Sequence, residues 1–509
     1  MADKVIISSK AALQAKYKAA GFTSLKNAVD RLIAADAKRG LTTQCIWVDD
    51  AAAMKKFSGV PPINATDERG YKAAVDAIAT ALSPDYILIL DGPDIVPHIA
   101  LDNPTPGDGD ATIDSDLPYA SPSGFARQVA RYLKVTRVVG RVPNVPAATD
   151  PAKIIGFLDN ATSAQPQDPS LYSDYYGLSA EVWDQSTRMS LDAAFGNHNN
   201  LELAPPVGPP ANDAQLSKLG HFINCHGGPL SPEFAGQRGG AYPISLTSAQ
   251  VAAHGVAGTV VAAECCYGAQ LYDPVLAAVD DPICIAYLTR GALGFLGSTN
   301  IAYGPAASNA QADLITQYFF ENVLAGASLG RAFLQGRQRF ITTQKMTSPV
   351  NLKTLGQFLL LGDPSVCPCI PPKAIAESQV SPASNEVEDA QAERKLRRIS
   401  LTSLGNSIAD GKAIPVPDGD LPESVKARVR AIAKDRGYST QLEAVFSVRG
   451  NANYRLAVKG MATRGNAMVE HVMMITERRP SPDKIIDIRH LVAHIVGEGI
   501  ASVEETLSR

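Results

Sequence analysis

A histidine and a pair of cysteines follow two strongly apolar segments of this 509-residue chain. His226 comes directly after Leu219–Cys225 and precedes two glycines, whose missing side chains let a substrate backbone come close. Cys265 and Cys266 come shortly after Thr259–Ala263. A thiolate nucleophile with a nearby imidazole is the chemistry of acyl transfer from an amide. The pattern predicts a cysteine nucleophile and a histidine that carries its proton.

The elements around these residues must bring them together. In an open parallel sheet, reactive groups collect beyond the carboxyl ends of the strands, and both apolar segments end at such positions. Cys265 also precedes the helix-like stretch 269–276, and a helix N-terminus stabilises a thiolate. The alternative is that each cysteine packs as a small buried hydrophobe, which is the commoner use of this residue.

Strand and helix signals alternate over most of the chain and predict an α/β fold. Continuous apolar runs such as Tyr86–Leu90, bounded by turn residues, indicate strands that are buried on both faces. We expect a mostly parallel sheet flanked by helices, plus a small C-terminal α+β domain. The predicted units are an N-terminal α/β subdomain (1–165), a catalytic subdomain (166–370), and a linker with a C-terminal module (371–509).

Composition excludes several classes of protein. Apolar residues make up 45% of the chain, which rules out wholesale disorder, and 47 basic against 51 acidic residues predict no nucleic-acid partner. Seven irregularly spaced cysteines do not read as a disulfide framework. The start has no apolar signal region, and no apolar run is long enough to span a bilayer. We expect a soluble, cytoplasmic protein without a membrane partner.

The motifs around the two reactive positions resemble those of a known family. His226-Gly227 and Glu264-Cys265-Cys266-Tyr267-Gly268 are similar to the dyad of caspase-fold cysteine peptidases, and gingipain-type peptidases fit best. The resemblance covers most of residues 80–370 and does not reach 371–509. Supporting segments follow the family's order: Tyr86–Pro97, Asp114–Tyr119, Val139–Pro143, Asn224–Gly227, Gly297–Asn300 and Leu361–Ser365.

The resemblance implies a role for each residue of the motif. His226 would be the general acid, Cys265 the nucleophile, and the backbone N–H groups of Gly227 and Cys265 the oxyanion hole. Counting forward from the strand selects Cys265, whereas counting back from Gly268 by the caspase spacing Cys-x-Gly selects Cys266. We favour Cys265, with Cys266 as the alternative.

The resemblance also points to substrate-binding residues. Arg-specific gingipains hold the substrate cation with an acid that follows a short strand, and the corresponding segment here offers Glu181 or Asp184. A carboxylate in such a pocket favours a bidentate arginine. The alternative is that both are solvated loop acids. Tyr303 falls where the family places an aromatic pocket wall, with an ordinary buried tyrosine as the alternative.

Two further segments have open interpretations. The loop Gly107–Asp116 holds four aspartates, and the family often carries structural calcium; without EF-hand spacing, however, a solvated acidic loop is favoured and we predict no cofactor or catalytic metal. The basic run Arg394–Arg398 is a candidate self-cleavage site, but the polar face of a linker helix is favoured.

The leading hypothesis is therefore a bacterial-type cysteine endopeptidase that acts on protein or peptide substrates after arginine or lysine. Its C-terminal module would serve recognition or regulation, with residues 371–509 as the surface for a regulatory protein partner. The main alternative is a catalytically silent interaction or scaffold protein with the same fold. A third hypothesis is a non-peptidase acyl transferase that uses the same Cys-His pair.

Overall fold

The computed structural model describes residues 2–205, 213–371, 386–410, 412–439, 442–450, 469–482 and 484–509. Within these ranges, no helix is long and apolar enough to cross a membrane. All seven cysteines lie in the described ranges, and each has a free thiol.

The strands, in chain order, are β1 (Lys4–Ser8), β2 (Thr43–Trp47), β3 (Tyr86–Leu90), β4 (Ile99–Asp102), β5 (Thr112–Ser115), β6 (Val139–Val142), β7 (Tyr176–Ala180), β8 (Leu201–Ala204), β9 (Gly220–Asn224), β10 (His226–Gly227), β11 (Glu233–Ala235), β12 (Ile244–Thr247), β13 (Val260–Ala263), β14 (Gly294–Ser298), β15 (Tyr303–Gly304), β16 (Phe358–Gly362), β17 (Ala413–Val416), β18 (Leu442–Gly450), β19 (His471–Arg478), β20 (Ile488–Val496) and β21 (Gly499–Ser508).

The α-helices are α1 (Lys10–Lys38), α2 (Ala51–Lys55), α3 (Glu68–Leu82), α4 (Ala152–Ser163), α5 (Pro169–Ser173), α6 (Asp184–Phe195), α7 (Asp213–Leu216), α8 (Ser248–His254), α9 (Pro274–Ala277), α10 (Ile283–Thr289), α11 (Gln311–Leu324), α12 (Leu329–Thr343), α13 (Pro349–Gln357), α14 (Glu386–Asp410) and α15 (Glu423–Asp435). Short 3₁₀ turns cover Leu117–Ala120, Val129–Tyr132 and Glu181–Trp183.

A ten-stranded sheet forms the centre of the molecule, in the order β2-β1-β3-β6-β16-β14-β13-β9-β7-β8. The first half-sheet, β2-β1-β3-β6-β16, is internally parallel. The second half-sheet, β14-β13-β9-β7-β8, is also internally parallel. The two halves meet through an antiparallel pair, β14 with β16, so their carboxyl ends face opposite edges of the sheet.

The central strands are apolar because both of their faces are covered. Every residue of β3, β13 and β16 is buried, as expected for parallel strands under helices. Helices α10, α11 and α12 pack against strands β14, β13 and β16 respectively. The predicted fold class is confirmed: a mostly parallel sheet flanked by helices, with a further small α+β unit.

The predicted subdomains share this one sheet. Strand β16 lies in the predicted catalytic subdomain but pairs in parallel with β6 of the predicted N-terminal subdomain. The boundaries at residues 165 and 370 stay predictions.

A six-stranded antiparallel sheet, in the order β15-β21-β20-β19-β18-β17, forms most of the C-terminal module. Helix α15 buries Val425 and Val429 against it, in an apolar cluster with Leu491. Strand β15 precedes residue 371, so the module completes its sheet on a strand of the unit that carries the cysteines.

Helix α14 contains the basic run predicted as either a cleavage site or a helix face. Arg394 donates to the Gly40 carbonyl at 2.6 Å, and Arg398 pairs with Asp85 at 3.3 Å. The run is thus helical and docked on the first half-sheet side of the molecule. Cleavage at this run stays untested.

Candidate active site

His226 lies just beyond the carboxyl end of β9 and is almost completely buried. Its Nε2 lies 2.8 Å from Oε1 of Gln237, and its Nδ1 has no hydrogen-bond partner among the described residues. The rings of Trp183 and Tyr242 pack against it, with centroids 4.5 and 5.2 Å away. Burial lowers the pKa of His226 to about 4, and the charge of Arg509 lowers it further. The imidazole is therefore neutral at pH 7 in this state.

The two cysteines lie in the bend and turn that follow β13, and their thiols point to different surroundings. The Cys265 thiol faces the core, 3.9 Å from the Ile223 carbonyl, and burial raises its pKa well above the usual value. The Cys266 thiol lies toward the segment before β15 and accepts from the Ala302 N–H at 3.2 Å. Burial raises the pKa of Cys266 to about 12, so this thiol is also neutral at pH 7.

The backbones of the histidine and cysteine segments are in contact. A Cβ added to Gly227 would lie 1.9 Å from the Cys266 carbonyl oxygen, so only glycine permits this approach. Tyr267 directly after it adopts φ 55°, a left-handed conformation that costs energy in a non-glycine residue. Its hydroxyl donates to Asp110 at 2.7 Å, which anchors the turn that ends the cysteine segment.

Arg509 occupies the space beside these backbones. Its carbonyl oxygen accepts from the Cys266 N–H at 3.0 Å, and its own N–H donates to the Ala302 carbonyl at 3.0 Å. Strand β21 leads into it and pairs antiparallel with β15, Ser508 opposite Tyr303. The Arg509 chain thus lies along β15, with its carbonyl group at the cysteine backbone.

The Arg509 guanidinium is fully buried in a polar pocket. It donates to Asp313 at 2.6 Å and to the side-chain oxygen of Asn224, and it lies 3.4 Å from Glu264. The plane of Trp183 covers it, at 4.9 Å from the ring centroid, in a cation–π arrangement. The pocket therefore offers a planar cation two carboxyl groups, an amide and an aromatic face.

The two acids of this pocket share a buried environment. Burial raises the pKa of Glu264 well above its usual value, and the neighbouring Asp313 raises it further. Thr316 donates to Glu264 at 3.1 Å. Asp313 lies in the first turn of α11, where its second carboxylate oxygen accepts from the Ala310 N–H at 3.2 Å. Burial raises the pKa of Asp313 as well, but its hydrogen bond with Glu264 lowers the pKa of Asp313 and raises that of Glu264. Of the two acids, Asp313 therefore keeps its charge more readily beside Arg509.

The predicted pocket acids lie elsewhere. Glu181 pairs with Arg238 at the surface, and Asp184 pairs with Arg188 one helical turn along α6 at 2.6 Å. Trp183, which directly precedes Asp184, is the residue of this segment that lines the pocket. Tyr303 is fully buried in β15; its hydroxyl donates to Asp108 at 3.0 Å, and its backbone pairs with Ser508.

Sequence reasoning missed three side chains that touch the Arg509 guanidinium. Glu264 and Asn224 stand inside the quoted motifs, directly before the cysteine pair and two residues before the histidine, so a signal for them existed. Asp313 stands in a helix 49 residues beyond Glu264, and its spacing carried no signal. Its capping position at the start of α11 is the one local clue.

Three of the four aspartates in the loop next to this site are paired with cations, whereas Asp114 is exposed. Asp108 and Asp110 are paired with the buried ammonium group of Lys353, the second at 2.6 Å. Asp116 pairs with Arg141 at 2.6 Å. Among the described residues, no group of three or more histidine, cysteine or acidic side chains could hold a metal ion. The ammonium group of Lys353 therefore compensates the charges of Asp108 and Asp110.

The site contains three groups that acyl transfer uses. They are a thiol, a buried imidazole with a free nitrogen, and a backbone N–H that faces a carbonyl oxygen. On a mostly parallel α/β sheet, these groups agree with the cysteine-peptidase class expected from the sequence. Residues 241–368 match the model of "Peptidase family C25", a segment that includes both cysteines but not His226. The match confirms the resemblance to gingipain-type cysteine peptidases and supports the prediction that the chain is a cysteine peptidase.

Two solved structures are similar to this chain at 12% identity. One, described as a protease, matches 99% of this chain and 96% of its own, with a TM-score of 0.48. The other, the separase–securin complex of Saccharomyces cerevisiae, matches 46% of this chain and 14% of its own, with a TM-score of 0.28. No curated protein matches the sequence.

Proposed function

We propose that this chain is a cysteine endopeptidase that cleaves after arginine, with Cys266 as nucleophile and His226 as its proton carrier. One observation carries the proposal: the Arg509 carbonyl meets the Cys266 N–H while its guanidinium meets Asp313. Arg509 stands in for the substrate residue before the scissile bond. The Cys266 N–H is then the oxyanion donor, and the side chains around the guanidinium form the specificity pocket.

The contacts favour Cys266 over Cys265 as the nucleophile. The N–H of Cys266 faces the carbonyl oxygen that would become the oxyanion, whereas the Cys265 thiol faces a core carbonyl. The sequence alternative based on the spacing to Gly268 selects the same residue. In this arrangement Cys265 packs as a small hydrophobe, and Glu264, two residues before the nucleophile, faces the pocket.

The reaction then follows from the protonation states. Because Nε2 of His226 donates to Gln237, its Nδ1 is the unprotonated nitrogen and can accept the Cys266 proton. The thiolate attacks the carbonyl carbon, and the Cys266 N–H donates to the developing oxyanion. The Nδ1 proton passes to the leaving amine as the C–N bond breaks. Water, deprotonated by His226, then hydrolyses the thioester.

The pocket favours arginine over lysine. The two terminal nitrogens of Arg509 reach different acceptors, the amide of Asn224 and the carboxylate of Asp313. Only a planar guanidinium presents donors in such a fork while it also lies over the Trp183 ring. An ammonium group would leave part of this buried set unpaired, which costs about 1–3 kcal/mol for each group.

The proposal is tested with Cys266→Ala and Cys265→Ala, assayed on a fluorogenic peptide that ends in arginine. We expect Cys266→Ala to lose at least about 1,000-fold in kcat, because the nucleophile is removed. Cys265→Ala is the matched control and keeps activity within about threefold of the starting protein, since it loses only packing. The opposite pattern would assign the nucleophile to Cys265.

The silent scaffold remains the competing function. It predicts no turnover and no labelling by a thiol-reactive peptide electrophile that ends in arginine, with Arg509 present or replaced. Labelling that intact mass locates on Cys266 would exclude it.

A further inference from the structure

Residues Gly499–Arg509 form a strand that lies where a peptide substrate would lie. Strand β21 pairs antiparallel with β20 over most of its length and with β15 at its end. The β15 pairing continues to Arg509, whose N–H donates to the Ala302 carbonyl at 3.0 Å. Backbone pairing of an extended peptide with a strand edge is a general way to bind substrates. The edge of β15 is therefore occupied by the chain itself.

The pocket wall fits the Arg509 side chain closely. A Cβ added to Gly304 would lie 1.9 Å from the guanidinium, so the wall has no room for a larger residue. The guanidinium itself is completely buried. A substrate arginine and Arg509 cannot occupy this pocket together.

Other contacts of the C-terminal module close the site around the histidine. A Cβ added to Gly228 would lie 2.1 Å from the Lys484 carbonyl, so the module loop packs directly on the residue pair after His226. Tyr242, which packs on His226, donates to Asp487 at 3.1 Å. Lys345, which lies between α12 and α13, pairs with Glu504 of β21 at 2.8 Å.

We propose that residues Gly499–Arg509 act as an intramolecular, substrate-like inhibitor, in which Arg509 fills the arginine pocket and β21 covers the substrate edge of β15. The inference rests on the proposed function, because it assigns that pocket to substrate arginine. Activity then requires that the segment leave the pocket. A protein partner that binds the C-terminal module is one means of release, and this partner stays a prediction.

The electrostatics of the docked state agree with inhibition. With the segment in place, His226 and Cys266 are buried, and their pKa values of about 4 and about 12 keep both neutral at pH 7. A neutral thiol is a poor nucleophile. Release of the segment admits water, which removes the burial that causes both shifts.

An intramolecular occupant is hard to displace. A tethered ligand competes at an effective concentration that reaches the millimolar range, so an ordinary substrate at lower concentration binds only the released fraction. Apparent affinity for substrate falls by that fraction. Replacing Arg509 raises the released fraction.

The test is Arg509→Ala in the full chain, assayed with an arginine-ended fluorogenic peptide and with a thiol-reactive electrophile on the same peptide. We expect kcat/KM and the labelling rate at Cys266 to rise about 10-fold or more. Arg436→Ala is the matched control: it removes another arginine of the module, which pairs with Glu505 of β21 at 3.0 Å outside the pocket. This control should leave both rates unchanged.

Two further measurements keep the test decisive where Arg509→Ala folds poorly. Arg509→Lys keeps a cation beside Asp313 and should give a smaller gain than Arg509→Ala. A peptide of residues 502–509 added to either variant should inhibit competitively, and the same peptide with alanine at position 509 should not.

The outcomes separate the two proposals. Equal rates in an active, arginine-specific starting protein and in both Arg509 variants would overturn the inhibitor and leave the proposed function standing. No turnover and no labelling in any of these proteins would overturn the proposed function, and the inhibitor with it.

Discussion

The two half-sheets both place buried charges beyond their strand ends, but they neutralise them differently. In the first half-sheet, Asp91 follows β3 and pairs with Lys16 at 2.8 Å, while Arg141 in β6 pairs with Asp116 at 2.6 Å. In the second, Glu264 follows β13, and the cation of its pocket is Arg509.

The difference lies in where the cation comes from. Lys16 and Arg141 stand on α1 and β6, which belong to the unit that precedes the C-terminal module. Arg509 follows an edge strand of the C-terminal module and enters from outside that unit. A charge pair inside one unit persists as long as the unit is folded, whereas a pair between two units can exchange its cation. The first arrangement is contained within one unit, whereas the second joins two units.

Removing an acid from the first half-sheet should give the largest effect on stability. Asp116→Ala leaves the fully buried Arg141 without its bidentate partner and should cost about 3–5 kcal/mol in the free energy of unfolding. Asp30→Ala, which breaks the exposed pair with Lys26, is the control and should leave the free energy of unfolding nearly unchanged. Chemical denaturation measures both. A similar loss in the two variants would remove the distinction between buried and exposed pairs.

Removing the acid of the second half-sheet should change selectivity instead. Asp313→Asn should lower the ratio of kcat/KM for arginine-ended over leucine-ended peptides by about 100-fold, since it removes the charge that faces the guanidinium. The ratio cancels differences in the fraction of released enzyme. Asp184→Asn, which alters a partly exposed acid paired with Arg188, is the matched control and should leave the ratio unchanged. A lower ratio only in Asp184→Asn would identify Asp184, one of the two acids predicted from the sequence, as the acid that binds the substrate arginine.

The last expected effect is a change in the pH dependence of stability in the second half-sheet. His221 in β9 is buried and bonded to Tyr287 at 2.9 Å, and burial lowers its pKa to about 4. Between pH 4 and 6.5 the unfolded chain binds this proton and the folded chain does not, so the histidine's contribution makes stability fall as pH falls.

His221→Asn lacks this contribution and should lose less stability on acidification, by up to about 3 kcal/mol between pH 7 and 4. The two proteins share every other titratable group, so the difference between their denaturation curves reports His221 alone. Between pH 7 and 8 the difference should stay constant. Curves that stay parallel down to pH 4 would contradict the assignment of a buried neutral histidine.

Local sequence signals correctly predicted the two strands that precede His226 and the cysteine pair. The apolar runs before His226 and Cys265 are strands β9 and β13, neighbours in the sheet as expected. These signals succeed because burial on both faces requires unbroken apolar residues, and turn residues mark where each strand ends. Tyr303, which the family resemblance placed at a pocket wall, lies buried in β15, and its role in substrate binding stays a prediction.

The acids that line the pocket could not be predicted in the same way. The predicted segment reaches the pocket with Trp183 rather than Glu181 or Asp184, because a short 3₁₀ turn directs the two acids outward. The different directions of the Cys265 and Cys266 thiols could not be predicted either, because both residues lie in the bend and turn after β13 rather than in the strand.

The sequence by itself determined the chemistry that is available: a thiol, an imidazole and glycines at the ends of buried strands, in an α/β fold. The tertiary structure decided which cysteine backbone faces a carbonyl group, which acids meet a cation, and that Arg509 is this cation. Asn224 and Arg509 are 285 residues apart, and their contact depends on a strand pairing between two units. Sequence periodicity reports local burial, whereas such long-range contacts depend on how complete elements pack.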